Sequence, residues 1–218
     1  MKNNCIIFLL LLTISITSIS CSPQSDQPVV RMNSDEVLEW VNFPAISEDG
    51  TYFLAVYSEY SCCLDLGGVL QKIKASNGKV VEEIILSSSE EIDPPFTLEK
   101  KQEILKDANR LLKEFTYHAL QKLPSLEENT KLKDDRLQIQ VDLANRSYVS
   151  KKFSLPKLKA SGYCCGAIDD KKNCLVDQSI TSTWLSKIHE TFFIESGFSG
   201  QADGCDQGPF FKIVPAID

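Results

Sequence analysis

Two patterns of hydrophobic spacing divide this sequence, and they limit the folds that it can adopt. Aromatic and β-branched residues are concentrated in Tyr52–Tyr57, Val69–Lys74 and Lys79–Leu86, and apolar residues alternate with polar ones from Leu137 to Leu143. Both patterns are typical of β-strands. Asn77-Gly78, between the second and third stretches, is a strong signal for a tight hairpin turn. The sequence therefore predicts antiparallel hairpins on both sides of its central segment.

The central segment changes to helical spacing. Its apolar residues recur every three or four positions, at Ile104, Ala108, Leu111, Phe115, Ala119 and Leu123. Thr97 is suited to cap the N-terminus of a helix, and Pro124 is expected to stop it. The pattern predicts one long amphipathic helix, from Thr97 to Leu123, that buries one face. With the hairpins it predicts an α+β fold, in which a single antiparallel sheet carries this helix on one face.

The end of the chain repeats the pattern of its first hairpin. Residues 52–73 align with residues 192–213 at an offset of 140 positions, which places Phe53 on Phe193 and Ile73 on Ile213. Each stretch has a strand, a loop with Cys and Gly, and a return strand. Any two hairpins share some features over this length, so a chance likeness stays open. A true repeat predicts that Cys205 lies near Cys62 and Cys63.

The first twenty residues have the parts of an export signal. Lys2 and the α-amino group are positive, Ile6–Ile19 is mostly apolar, and small residues follow. A permanent span needs about 20 predominantly apolar residues, and this run is shorter and contains several Ser and Thr. We therefore predict a signal peptide over residues 1–20.

The signal ends in Ser18-Ile19-Ser20-Cys21, which resembles the lipobox of bacterial lipoproteins. The resemblance implies that Cys21 becomes an acylated, palmitate-bearing N-terminus that holds the protein on a membrane. Ser18 stands where the motif usually has Leu, and the two serines also suit ordinary signal peptidase. Residues 21–36 are polar and lack an apolar period, so they are predicted to be a tether. A single α+β domain is then expected over residues 37–218.

Cysteine counting supports a disulfide framework. Of the 8 cysteines, Cys5 leaves with the signal and Cys21 is assigned to the lipid. The six that remain are an even set in an exported chain, namely Cys62, Cys63, Cys164, Cys165, Cys174 and Cys205. The interpretation pairs Cys62 or Cys63 with Cys205 and closes the loop from residues 164–165 through Cys174. Bridges between adjacent cysteines stay open as an alternative. No metal site is assigned, because the spacing of zinc knuckles is missing.

No residue is assigned a catalytic role or a cofactor. Neither histidine, His118 on the predicted helix or His189 in a predicted turn, lies in a known catalytic motif. Loop carboxylates occur at Asp169, Asp170, Asp203 and Asp206, where Asp and Gly are ordinary turn residues. The formal net charge is −7 and becomes −8 without the signal, whose one charged side chain is Lys2. This acidic balance argues against nucleic-acid binding.

Two further resemblances concern the whole chain and one hairpin. The order of hairpins, helix and hairpins, with Asp203-Gly204-Cys205 near the end, resembles a group of uncharacterised predicted bacterial lipoproteins. The stretches ISEDGTYFLAV and SNGKVVEEIIL resemble a single repeat of TolB-type or WD-type propellers, but the helix that follows excludes a complete propeller. The first resemblance implies a place in the bacterial cell envelope, periplasmic or on the surface, and implies no particular activity.

We therefore expect an exported envelope lipoprotein with a non-catalytic role, either in binding or as a structural component of an envelope assembly. Its partners are expected to be the membrane, through the lipid, and an envelope protein or a small ligand. One alternative is a secreted hydrolase that uses the loop carboxylates, and another is a metal-binding or redox-active cysteine protein.

Overall fold

Antiparallel strands form most of the part of the chain that the structure describes. The structure is a computed structural model that describes residues 26–61, 64–88, 95–124, 130–133, 136–143, 146–160, 167–168, 174–176, 178–198 and 209–217. Its elements in chain order are β1 (Val29–Met32), β2 (Leu38–Val41), β3 (Ala45–Ser47), β4 (Tyr52–Ser61), β5 (Leu64–Lys74), β6 (Lys79–Ile85), α1 (Leu98–Glu114), β7 (Tyr117–Ala119), β8 (Gln121–Lys122), β9 (Thr130–Lys133), β10 (Arg136–Leu143), β11 (Arg146–Ser150), β12 (Leu158–Ala160), β13 (Ala167–Ile168), β14 (Cys174–Val176), β15 (Gln178–Ser186), β16 (Thr191–Phe198) and β17 (Phe210–Ile217).

Two large sheets organise these strands. The five-stranded sheet has the order β6-β5-β4-β3-β7, and the seven-stranded sheet has the order β8-β15-β16-β17-β11-β10-β9. β1 and β2 form a separate hairpin, and β12, β14 and β13 form a small third group. The predicted hairpin around Asn77-Gly78 is confirmed as the β5–β6 connection.

The predicted fold class is wrong. The described chain is mostly antiparallel β rather than α+β, and it holds one short helix rather than a long helix on a single sheet. Side chains from the two large sheets share one core, which contains Ile46, Phe53 and Ile73 from one sheet and Phe193 and Ile213 from the other. The molecule is therefore built from two sheets packed face to face, with the helix on the outer face of one of them.

The helix begins as predicted and ends earlier than predicted. Thr97 caps it by accepting a hydrogen bond from the Lys100 amide at Oγ1, 3.2 Å away. Its buried face consists of Ile104, Ala108 and Leu111, as the spacing predicted. Phe115, which was predicted to lie inside the helix, has the extended backbone of a C-cap.

The segment after the helix joins both sheets, and this explains the early stop. β7 pairs with β3, and two residues later β8 pairs with β15 of the other sheet. Leu120, between them, is buried in the core shared by the sheets. The helical spacing of Ala119 and Leu123 was therefore misleading, because strand pairing holds these residues in extended structure.

The two hairpins that the sequence aligned have the same register. Phe53 pairs with Ile73 and Leu54 with Lys72 in the β4–β5 ladder. In the β16–β17 ladder, the aligned residues Phe193 and Ile194 pair with Ile213 and Lys212. The aligned phenylalanines also touch, because the rings of Phe53 and Phe193 stack with centroids 5.0 Å apart. The hairpins are thus similar in structure and face each other across the shared core.

The first described residues already belong to the folded domain, although residues 21–36 were predicted to be a tether. Val30 of β1 is buried against the helix core, and β1 pairs with β2 over four residues. Pro28 is buried, and the Asp26 carbonyl accepts a hydrogen bond from the Ala119 amide at 2.8 Å. The chain is therefore attached to the domain from Asp26 onward.

An ion pair between a buried lysine and a partly exposed glutamate fastens the end of the helix to the five-stranded sheet. The Lys72 ammonium contacts the Glu114 carboxylate and lies 4.4 Å from the centre of the Tyr52 ring and 5.2 Å from that of Phe115. Only 9% of the Lys72 side chain is exposed. Arg110 adds a second contact to Glu114, at 2.8 Å. A buried charge that loses its partner is strongly destabilising.

We predict that Glu114→Gln lowers the free energy of unfolding by about 3 kcal/mol, because it leaves the Lys72 ammonium buried without its carboxylate. Urea denaturation measures the change. Glu103→Gln is the matched control on the same helix, because Glu103 and its partner Lys100 are exposed, and it should cost about 0.5 kcal/mol or less. Lys72→Met added to Glu114→Gln should recover part of the loss. Equal effects of the two Glu→Gln changes would contradict the prediction.

Candidate functional site

A cavity lies at the end of the core between the two large sheets. Its volume is about 490 Å³, and three connections surround it: the β3–β4 turn, the β5–β6 turn and the β15–β16 turn. Ile46, Phe53 and Ile213 form its apolar wall, and Thr51, Ser76, His189 and Thr191 supply its polar groups. We call this space the inter-sheet cavity.

Hydrogen bonds within the β3–β4 turn shape one side of the cavity. Asp49 Oδ1 accepts from Ser47 Oγ at 2.6 Å and from the Thr51 amide at 2.9 Å. The Tyr52 amide in turn donates to Ser47 Oγ at 2.9 Å. The Ser47 and Thr51 hydrogen bonds hold the pKa of Asp49 below its usual value. The carboxylate is thus engaged by its own turn.

His189 closes the opposite side. Its amide donates to Ser186 Oγ at 3.2 Å, and its carbonyl accepts from Thr191 Oγ1 at 2.8 Å. The imidazole packs on Gly50, so closely that a Cβ added to Gly50 would lie 2.8 Å from His189 Nδ1. His189 Nε2 is buried and has no hydrogen-bond partner among the described residues. A buried polar atom without a partner is uncommon in native proteins.

The backbone beside His189 is also unusual. Glu190 has a φ of 47°, a left-handed conformation that is uncommon for residues other than glycine. Two contacts hold it there: the Ala216 amide donates to the Glu190 carbonyl at 2.7 Å, and Arg146 pairs with the Glu190 carboxylate at 2.5 Å. Strained residues and unpartnered polar atoms both occur more often at functional sites. Their coincidence in one turn marks the inter-sheet cavity as the candidate site.

The arrangement is suited to binding. No carboxylate is present among the described residues that line the cavity, and solvent does not reach His189 Nε2. Lys74, which also lines it, pairs in register with Tyr52, whose ring packs on the helix side of the sheet. Side chains of paired residues share a face, so the Lys74 side chain is on the helix side as well. The cavity therefore offers an apolar wall with neutral polar groups around it.

A second, smaller cleft lies beside the β1–β2 hairpin. It has a volume of about 290 Å³ and is lined by Leu38, Trp40, Leu86, Phe96 and Lys101, among others. The Lys101 ammonium is already engaged, because it donates to the Glu36 carbonyl at 2.9 Å. No described side-chain polar atom of this cleft is buried without a partner. It is therefore the weaker candidate.

Two titratable side chains outside the cavity have pKa values that burial raises. Burial raises the pKa of Tyr117, whose hydroxyl has no partner among the described residues. Burial also raises the pKa of Glu195, against hydrogen bonds from Thr181 and Ser182 that lower it. In the described part of the chain, no group of three or more His, Cys, Asp or Glu is placed to hold a metal ion.

The two histidines considered in the sequence analysis do not lie in one site. His189 lies in a turn, as predicted, whereas His118 lies on β7 and not on a helix. His118 Nδ1 is 3.6 Å from the Asp26 carboxylate. Gly50 and Thr191 were not singled out from the sequence as site residues. Asp49-Gly50 is an ordinary turn sequence, but nothing in the sequence relates it to a turn more than a hundred residues away.

The cysteines and the loop carboxylates named in the sequence analysis lie outside the described residues, so their predicted roles stay predictions. This applies to Cys21, Cys62, Cys63, Cys164, Cys165 and Cys205, and to Asp169, Asp170, Asp203 and Asp206. Cys174 begins β14, and its side chain is likewise outside the described part.

Comparisons with protein families, with curated proteins and with solved structures found no match to this chain. No helix in the described part of the chain has the length and apolar composition needed to cross a membrane. The case for a function therefore depends on this chain's own residues.

We predict that Gly50→Ala lowers the free energy of unfolding by about 2 kcal/mol, because its φ of +71° disfavours a side chain and its Cβ would meet the His189 ring. Gly78→Ala is the matched control, with a φ of +68° and no atom within 4 Å of the added Cβ. It should lower the free energy of unfolding by about 1 kcal/mol, because only the left-handed backbone conformation then disfavours the side chain. Thermal or urea unfolding of both variants measures the difference, and equal costs would argue against close packing of His189 on Gly50.

Proposed function

We propose that this protein is an exported lipoprotein of the bacterial cell envelope that acts by binding a small ligand. The signal-like residues 1–20 and the lipobox-like Ser18-Ile19-Ser20-Cys21 support export and acylation. The acylated Cys21 holds the protein on a membrane, and the folded domain carries the binding site.

The inter-sheet cavity is the observation that carries the binding role. Its volume of about 490 Å³ falls within the range of about 300–1,000 Å³ found for small-molecule sites. Such sites are mostly apolar with a few placed polar groups, which matches Phe53 and Ile213 beside Thr51 and Ser76. The ligand is accordingly small and largely uncharged, with an apolar body.

Acyl anchoring predicts how two variants divide between the membrane fraction and the soluble fraction. Cys21→Ala removes the acylated residue and should move the protein from the membrane fraction to the soluble fraction, by about tenfold in their ratio. Cys5→Ala is the matched control, because Cys5 leaves with the signal, and it should leave the distribution unchanged. Intact mass of the mature wild-type protein should show acylation at Cys21. A Cys21→Ala protein that stays in the membrane fraction would contradict acyl anchoring.

The binding part of the proposal predicts an effect of filling the cavity. N-phenyl-1-naphthylamine, an uncharged apolar fluorophore, should bind the wild-type protein with a rise in fluorescence. Ala75 lines the cavity, so Ala75→Leu should occupy part of the space and weaken binding about tenfold, or 1.4 kcal/mol. Ala75→Ser adds a single oxygen and is the matched control. Equal probe affinity in the three proteins would place the probe elsewhere and contradict the proposal.

A further inference from the structure

The chain joins the folded domain at one defined place. The Ala119 amide of β7 donates to the Asp26 carbonyl at 2.8 Å. The Asn42 side chain donates to the Gln27 carbonyl at 2.9 Å, and Pro28 is buried. The Leu120 amide, which follows in the chain, donates to the Pro44 carbonyl at 2.9 Å, and Pro44 directly precedes β3. Asp26 therefore lies on the open side of β7, away from the neighbouring strand.

Little chain separates this place from Cys21. Asp26 is the fifth residue after Cys21, and five fully extended residues span about 17 Å. The tether predicted from the sequence ended at Glu36, and its fifteen residues after Cys21 would reach about 50 Å. A long tether would leave the domain free to turn, whereas a span of 17 Å confines one side of the domain near the point of acylation.

That side is an edge shared by both large sheets. β7 is the outermost strand of the five-stranded sheet, and β8 is the outermost strand of the seven-stranded sheet. They follow each other in the chain, as Tyr117–Ala119 and Gln121–Lys122. We call residues 117–122 the β7–β8 edge. The opposite edge of the five-stranded sheet is β6, four strand spacings or about 19 Å away.

We propose that the β7–β8 edge is the surface of this protein that faces the lipid bilayer. The proposal rests on the proposed acylation of Cys21, and the bilayer surface is the partner. The short connection from Cys21 to Asp26 holds this edge at the headgroups, and the β6 edge points away from them.

The charges agree with this orientation. The chain carries a formal net charge of −7, so many of its surfaces would be repelled by anionic headgroups. The β7–β8 edge carries the exposed Lys122, and His118 lies 3.6 Å from the Asp26 carboxylate. β6 instead carries two carboxylates, Glu82 and Glu83, against one lysine, Lys79. A lysine near an anionic bilayer contributes about 1 kcal/mol of attraction.

Hydrogen–deuterium exchange on the full-length acylated protein tests the orientation. The protein is placed in phosphatidylcholine vesicles with about one quarter phosphatidylglycerol, and Cys21→Ala protein mixed with the same vesicles is the reference. Peptides that cover residues 117–122 should exchange about threefold more slowly in the acylated protein. Peptides that cover β6 should exchange alike in both proteins.

Two further variants separate orientation from anchoring. An insertion of about ten Gly and Ser residues between Ser25 and Asp26 lengthens the connection; this variant should stay on the vesicles and lose the protection of residues 117–122. Lys122→Glu should reduce that protection on anionic vesicles and leave it unchanged on pure phosphatidylcholine. Lys79→Glu, on β6, is the matched control for the change in charge and should have no effect.

The outcomes distinguish the two proposals. Protein that does not stay on vesicles contradicts acyl anchoring itself. Protein that stays on vesicles but shows protection at β6, or equal protection with and without the insertion, leaves anchoring intact and overturns the orientation.

Discussion

The stacking of Phe53 on Phe193 is the contact on which the rest of the structure depends. Both rings are fully buried, and a third ring, that of Phe211, stacks on Phe193 with centroids 5.0 Å apart. Phe53 belongs to the five-stranded sheet and the other two to the seven-stranded sheet. Aromatic side chains bury more apolar area than other residues, so this stack supplies much of the attraction between the sheets. The inter-sheet cavity lies at the end of the same core.

Packing between the sheets makes the five-stranded sheet the middle layer of the protein. Leu54 and Leu70 face the helix core. Phe53 and Ile73, on the same two strands, face the other sheet. The helix end is fastened to this sheet by Lys72 and Glu114. The open edge of the same sheet at β7 receives the chain at Asp26. One sheet thus positions the candidate binding site and the point from which an anchor would extend.

Local signals predicted much of the secondary structure and little of its arrangement. The Asn77-Gly78 hairpin and the Thr97 cap involve neighbouring residues, and the structure has both. The helix was predicted too long because Ala119 and Leu123 satisfy helical spacing, whereas pairing of β7 and β8 with strands distant in sequence decides their conformation. A signal for burial on both faces was also present, since Phe192, Phe193 and Ile194 are consecutive and fully buried. Consecutive apolar residues indicate a strand covered on both sides.

The sequence by itself predicted the export-type leader, which stays a prediction. It also determined the similarity of the two hairpins and the start of the helix, because these depend on residues close in the chain. Only the tertiary structure decided that the two hairpins face each other, that Gly50 and His189 line one cavity, and that Asp26 is hydrogen-bonded to β7. Each of these depends on contacts between residues far apart in sequence. Such contacts depend on which faces pack together, and hydrophobic spacing alone does not say which face meets which.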